Sequence, residues 1–251
     1  MTEIKHISCN HTVIEYDKSM IYVIENILDD ALCCKIIEII NKLNLIKYCH
    51  SPNQNVECFA GYLDKLLKMD HELYYEFSTD NNKYNELKQN IITGKSIYTN
   101  QCNGIMKTTL ENLYNNMNII MCKIKEIMAN INPLIDFDTN SNYILRKIYG
   151  ETCNHIDNIS EIHNSSNVNF IKEKIRYNNV NYYVRSASIV FTLNDDYDGG
   201  IFSFPYYNVE IKLKKGSVII FPPYWTHEHR VSKMENNTFR YTISTWSYVK
   251  M

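Results

Sequence analysis

The sequence predicts an α+β protein in which a helical first half lies against a C-terminal β-sandwich or jelly roll. Three observations predict it: two stretches with helical apolar spacing before Pro133, six short β-rich runs after it, and turn material between those runs. At 251 residues the chain can bury a sizeable core within one integrated domain. Within that domain, residues 1–140 form a strand-and-helix portion packed on the β core of residues 141–251.

The first helix is expected over DDALCCKIIEIINKLNLIKY (29–48), where Leu32, Ile36, Ile37, Ile40 and Leu43 recur at helical spacing and Asp29 or Asp30 can cap the start. Ahead of it, MIYVIENIL (20–28) reads as a short strand feeding the helix. A second helix is expected over TLENLYNNMNIIMCKIKEIMANI (109–131), with Leu110, Leu113, Met117, Ile120, Met121, Ile124 and Ile127 on one face. Asn132 and Pro133 end it. The Asn-, Lys- and Tyr-rich stretch 70–105 reads as a polar surface excursion.

Beyond Pro133 the runs YILRKIY, YYVRSASIVFTLN, IFSFPYY, VEIKLKK, SVIIFPP and FRYTISTWSYV are separated by turns such as DDYDGG and KKGS. Short strands without intervening helices indicate a sandwich or jelly roll, and the N-terminal helices then cover an outer sheet face. Residues 158–184 read as an Asn-rich loop. No internal repeat is present.

Composition narrows the function. Apolar residues make up 45% and charged residues 22%, as in ordinary globular domains, and a formal net charge of −2 offers no bulk attraction to nucleic acid or anionic membrane. The eight cysteines form no CxxC pair, the N-terminus lacks the apolar run of a signal peptide, and no stretch is long and apolar enough to span a bilayer. An intracellular, reducing location with free thiols is the expectation.

The chemistry lies in three separated elements. In YGETCNHIDN (149–158), His155 and Asp157 stand at i and i+2, so an extended strand projects both from one face. FPPYWTHEHRVS (221–232) carries His227 and His229 behind the stiff pair Pro222–Pro223. Two imidazoles and one carboxylate make the facial triad of non-haem Fe(II) oxygenases, which leaves metal positions open for a cosubstrate and O2. Alternation lets either His227 or His229 be the third ligand. Eleven residues beyond His229, Arg240 shares a strand face with Thr242 and Ser244, a setting suited to gripping a carboxylate.

Through LRKIYGETCNHIDN, RSASIVFTLNDDYDGGIFSFP, LKKGSVIIFPPYWTHEHRV and FRYTISTW, residues 143–251 resemble 2-oxoglutarate- and Fe(II)-dependent dioxygenases of the prolyl 4-hydroxylase type, close to forms from large DNA viruses. The resemblance is looser over 20–45. It implies a double-stranded β-helix, the cupin-like jelly roll, with supporting N-terminal helices. It also implies His155, Asp157 and His229, the histidine followed by Arg230 and Val231, as iron ligands, and Arg240 as the partner of the distal carboxylate of 2-oxoglutarate. One extra residue separates His229 from Arg240, and the turn MENN (234–237) can absorb it.

The resemblance further suggests Tyr149, Thr192 and Ser244 near the cosubstrate and Trp246 near a substrate groove, while Gly199 and Gly200 form a structural turn. The implied reaction hydroxylates a C–H bond, with peptidyl proline as the favoured target, and consumes 2-oxoglutarate and O2 with release of succinate. Ascorbate (vitamin C) is a candidate accessory reductant, and a virus-encoded enzyme would act in the host cytoplasm. Hydroxylation of another residue or a small molecule, and a non-catalytic binding module, are the alternative readings. Asp157 argues against halogenation. A nucleic-acid demethylase would place a second arginine where this chain has Trp246.

Overall fold

A computed structural model describes residues 3–43, 46–48, 57–63, 104–135, 137, 139–141, 143–157 and 183–250. The expected excursion at 70–105 and loop at 158–184 lie almost wholly outside them. Strands β1 (Glu3–Ser8), β2 (His11–Tyr16) and β3 (Ile21–Ile24) precede helix α1 (Asp30–Lys42). Strands β4 (Ile46–Tyr48) and β5 (Glu57–Tyr62) come before helix α2 (Gly104–Ile131). Then follow β6 (Thr139–Asn140), β7 (Ile144–Tyr149), β8 (Thr152–His155), β9 (Tyr183–Thr192), β10 (Phe202–Phe204), β11 (Val209–Ile211), β12 (Val218–Phe221), β13 (His229–Val231) and β14 (Arg240–Lys250).

Two sheets result. The large one has ten strands in the order β1-β2-β3-β12-β9-β14-β7-β5-β4, with β6 paired to β14; the small one runs β11-β10-β13-β8. Their arrangement is that of a jelly roll. The N-terminal strands extend the large sheet, since β3 pairs with β12 and β5 with β7.

Two corrections to the sequence reading concern this N-terminal part. The first helix stops at Lys42, because Leu43 takes an extended conformation, and Ile46–Tyr48 forms a strand. The hairpin β1–β2 was hidden by its polar surface-facing residues. Cys9 and Asn10 form its two-residue turn with positive φ, which asparagine tolerates. Asp29 caps α1 by accepting from the Leu32 amide at 2.7 Å.

The central strands of the large sheet are buried on both faces, and strict alternation sorts their side chains. Val218, Ile220, Ile189, Phe191, Ile243 and Leu145 join one apolar cluster with Ile36 and Ile40 of α1 and Leu113, Met117, Ile124 and Ile127 of α2. Ile219, Phe221, Ile144 and Ile148 project the other way, into a second cluster with Phe202, Phe204 and Val231 of the small sheet. Between the sheets lies the interior that holds the site.

The turn between β9 and β10 is tied down by a bridge from Gly199 to Met234. Gly199 has φ +73, and a Cβ there would lie 2.0 Å from the Lys233 carbonyl oxygen. Substituting Gly199→Ala is expected to cost about 1–3 kcal/mol through backbone strain and this collision. Urea denaturation of the variant against wild type measures it.

Candidate active site

His155 ends β8 and His229 begins β13, and the two are direct partners across the small sheet. Asp157 follows two residues after His155, just past the strand. The ligand atoms of His155, Asp157 and His229 all lie within 4.8 Å of one another, with His155 Nε2 at 3.6 Å from an Asp157 carboxylate oxygen. Rings of Phe202, Phe204 and Phe221 surround His229, with centroids 6.4, 5.6 and 4.7 Å from its own.

Hydrogen bonding separates the two candidate histidines. His155 Nδ1 donates to the Cys153 carbonyl at 2.8 Å, and His229 Nδ1 donates to the His227 carbonyl at 3.1 Å. A carbonyl only accepts, so each ring turns its Nε2 to the cluster, the tautomer a metal requires. His227 is used up elsewhere. Its Nε2 donates to the Ser19 carbonyl at 2.7 Å, and its Nδ1 accepts from the Thr226 hydroxyl at 2.8 Å. The ring of Tyr207 lies 4.9 Å away, and His227 belongs to the packing of the loop.

Protonation also suits a cation. Burial acts to raise the Asp157 carboxyl, but His229, His155, the Ser188 hydroxyl and Arg146 outweigh it and hold the group below its usual range. Burial pushes His229 down to about 4 despite the attraction of Asp157. A carboxylate held ionised beside an imidazole held neutral suits a borderline divalent ion.

Deeper in the interior, Arg240, Thr242 and Ser244 of β14 all face inward and are buried. Thr242 stands opposite Thr192 of β9, and both hydroxyls, with that of Ser244, are buried without a hydrogen-bond partner among the described residues. The Arg240 guanidinium lies 4.9 Å over the Phe202 ring. Buried polar groups of this kind are costly in isolation and suit a polar guest.

Tyr149 packs at the margin of the interior cluster, where its hydroxyl donates to Asn237 at 3.2 Å and its ring lies 5.8 Å from that of Phe239. Lys147 places its ammonium 4.5 Å from the same Phe239 ring.

Trp246 carries the guanidinium of Arg185 at 4.2 Å over its ring, and Arg185 donates to the Asp157 carbonyl. The sequence reading passed over Arg185 and also Arg146. Its available signal was an arginine entering an otherwise apolar and hydroxylic strand.

A pH dependence follows for the metal-free protein. The unfolded state takes up the His229 proton near pH ~6.5, whereas the folded state refuses it until about pH 4. Between these values the unfolded state binds more protons, so stability falls as pH drops through the window and is flat for this group above it. Asp157 adds a loss in the same direction at lower pH. Thermal denaturation from pH 4 to 7 should show the slope, and His229→Gln should flatten it.

Comparison with known proteins agrees with this geometry. The sequence model of the 2OG-Fe(II) oxygenase superfamily matches residues 145–248. No curated protein matches the chain. Among solved structures, the chain is similar to a viral collagen prolyl hydroxylase from Paramecium Bursaria Chlorella virus-1 in complex with 2OG. The identity is 15%, the match covers 93% of this chain and 98% of that one, and the TM-score is 0.52. It is also similar to a prolyl hydroxylase from Trichoplax adhaerens, in complex with a hypoxia inducible factor oxygen degradation domain peptide fragment. There the identity is 12%, coverage is 92% and 84%, and the TM-score is 0.52. At these identities the structural likeness speaks for the jelly-roll fold. The superfamily match falls over the strands that carry the cluster, and residues 145–248 form a 2OG-Fe(II) oxygenase domain.

Proposed function

We propose that this protein is a 2-oxoglutarate-dependent dioxygenase that hydroxylates peptidyl proline, with His155, Asp157 and His229 as the Fe(II) ligands and Arg240 as the anchor for the distal carboxylate of 2-oxoglutarate. The observation that carries the reading is one interior with two complementary ends. A His-Asp-His cluster stands at one end, and an arginine among buried hydroxyls stands at the other. Helices α1 and α2 brace the outer face of the large sheet, so the strands that hold these groups keep their register.

Each residue has a physical task. The backbone carbonyls of Cys153 and His227 orient the two imidazoles, and Asp157 supplies the anionic donor. Arg240 offers a planar fork for a carboxylate, and Thr192, Thr242 and Ser244 supply hydroxyls beside it. The apolar rings around His229 shield its side of the cluster from water. Bound together, iron and 2-oxoglutarate supply the O2 activation that inserts oxygen into a C–H bond while the keto acid becomes succinate.

A peptide substrate is supported by the aromatic flank. Tyr206 and Trp225 are 74% and 75% exposed, and Tyr224 is also exposed while its hydroxyl donates to the Arg185 carbonyl at 2.9 Å. Exposed aromatic rings near a site suit the flat, rigid ring of proline in an extended chain. The two solved relatives, a collagen prolyl hydroxylase and a prolyl hydroxylase with bound peptide, favour the same substrate class. Within the described residues no helix is long and apolar enough to cross a membrane.

Succinate formation from 2-oxoglutarate, with Fe(II) loaded anaerobically and O2 then admitted, tests the reading. Proline-rich peptides should stimulate turnover and gain one oxygen by mass, with ascorbate varied as an additive. His229→Ala should lower turnover by at least about a hundredfold through loss of metal. His227→Ala should retain most activity per folded molecule and lose thermal stability instead. Equal stimulation by peptides with and without proline would reject the proline assignment.

A further inference from the structure

We infer that Arg146 is a second carboxylate-binding residue of the site, holding the keto-acid end of 2-oxoglutarate while Arg240 holds its far end. The inference rests on the proposed function. It starts from the inner face of β7, where Ile144 and Ile148 point into the interior cluster and Leu145 points to the helices. Alternation therefore turns Arg146 inward. Arg146 stands directly opposite Thr242, and Arg240 opposite Ile148, so the two arginines are diagonal neighbours on adjacent strands. Such neighbours are about 7–8 Å apart at the backbone, within mutual reach of long side chains.

Arg240 lies over Phe202, whereas Arg146, opposite Thr242, stands further along β14 toward Trp246, whose ring carries the Arg185 that donates to the Asp157 carbonyl. Arg146 is only half-buried, yet its Nε is fully buried and has no hydrogen-bond partner among the described residues. No described carboxylate forms an ion pair with it. A buried, unmet N–H on a permanent cation is an expensive feature, and it disappears when an anion arrives.

Charge balance points to the same guest. Besides Arg146, the guanidinium of Arg185 lies over Trp246 and donates to the Asp157 carbonyl, so positive charge gathers at this end of the interior. A divalent cation alone would add to that charge, while a divalent cation together with a dicarboxylate adds no net charge. A dianion with one end at the cluster and the other at Arg240 places its cluster-side carboxylate beside Arg146. Oxalate mimics that end alone, since it chelates a divalent ion but lacks the distal carboxylate.

Calorimetric titration of the Mn(II)-loaded full chain with 2-oxoglutarate and with oxalate decides the matter. Arg146→Gln should weaken both acids by about tenfold or more, as loss of a charge-assisted contact does. Arg240→Gln should weaken 2-oxoglutarate and leave oxalate unchanged. Mn(II) affinity of Arg146→Gln should stay equal or rise, because a neighbouring positive charge has been removed, a direction that mere structural damage would not produce.

If Arg146→Gln does not fold, Arg146→Lys serves: with wild-type thermal stability, it should bind oxalate more weakly for want of the planar fork. Unchanged binding of both acids in a folded Arg146 variant overturns the inference. So does an effect confined to the KM of an acidic peptide, which would give Arg146 to the substrate. A wild type that takes up Mn(II) but binds neither acid would instead defeat the proposed function itself.

Discussion

The pairing of β9 with β14 at the centre of the large sheet is the constraint on which the rest depends. Both faces of these strands are covered, one by the helices and the other by the small sheet. A one-residue slip would turn Arg240, Thr242 and Ser244 into the apolar cluster of the helices and Ile243 into the site. Because Thr242 pairs with Thr192 and Trp246 with Ser188, the polar members of two strands distant in sequence share one face. Apolar packing on the outer face thereby secures the placement of polar groups on the inner one.

The small sheet adds the second half of the site by a different device. His155 and His229 are partners across β8 and β13, and each ring is oriented by a carbonyl two residues before it in the chain. Local backbone therefore sets both tautomers. The register shift between His229 and Val231 breaks the regular ladder beside the cluster, where re-aiming a side chain is most useful.

The interior is left polar where stability alone would make it apolar. Hydroxyls of Thr192, Thr242 and Ser244 are buried without partners among the described residues, a cost that surrounding apolar packing must offset until a ligand meets them. His227 shows the opposite economy. It spends both ring nitrogens on the fold, fastening the loop before β13 to the Ser19 carbonyl beside β3. The N-terminal part of the chain thus helps to hold the segment that presents His229.

Much of this was legible in the sequence, because the signals are local and periodic. The helical spacing of Leu113, Met117 and Ile124 marked the face that α2 buries, and the alternation in FRYTISTW placed Arg240, Thr242 and Ser244 together. The spacing in HID was enough to nominate His155 and Asp157 as neighbours. Polar, surface-facing residues on β1, by contrast, concealed the hairpin β1–β2.

Strand periodicity left His227 and His229 level, and only the resemblance over HEHRV implied His229. Two histidines at i and i+2 look alike to any periodicity argument. What distinguishes them is a carbonyl 208 residues away in sequence that occupies one ring and not the other. The same holds for Arg146, which the folded chain sets opposite Thr242 on the inner face of β7. Sequence by itself determined which side chains share a strand face, since that follows from backbone geometry. Only the folded chain decided which faces meet, because the partners come from distant strands brought together by packing.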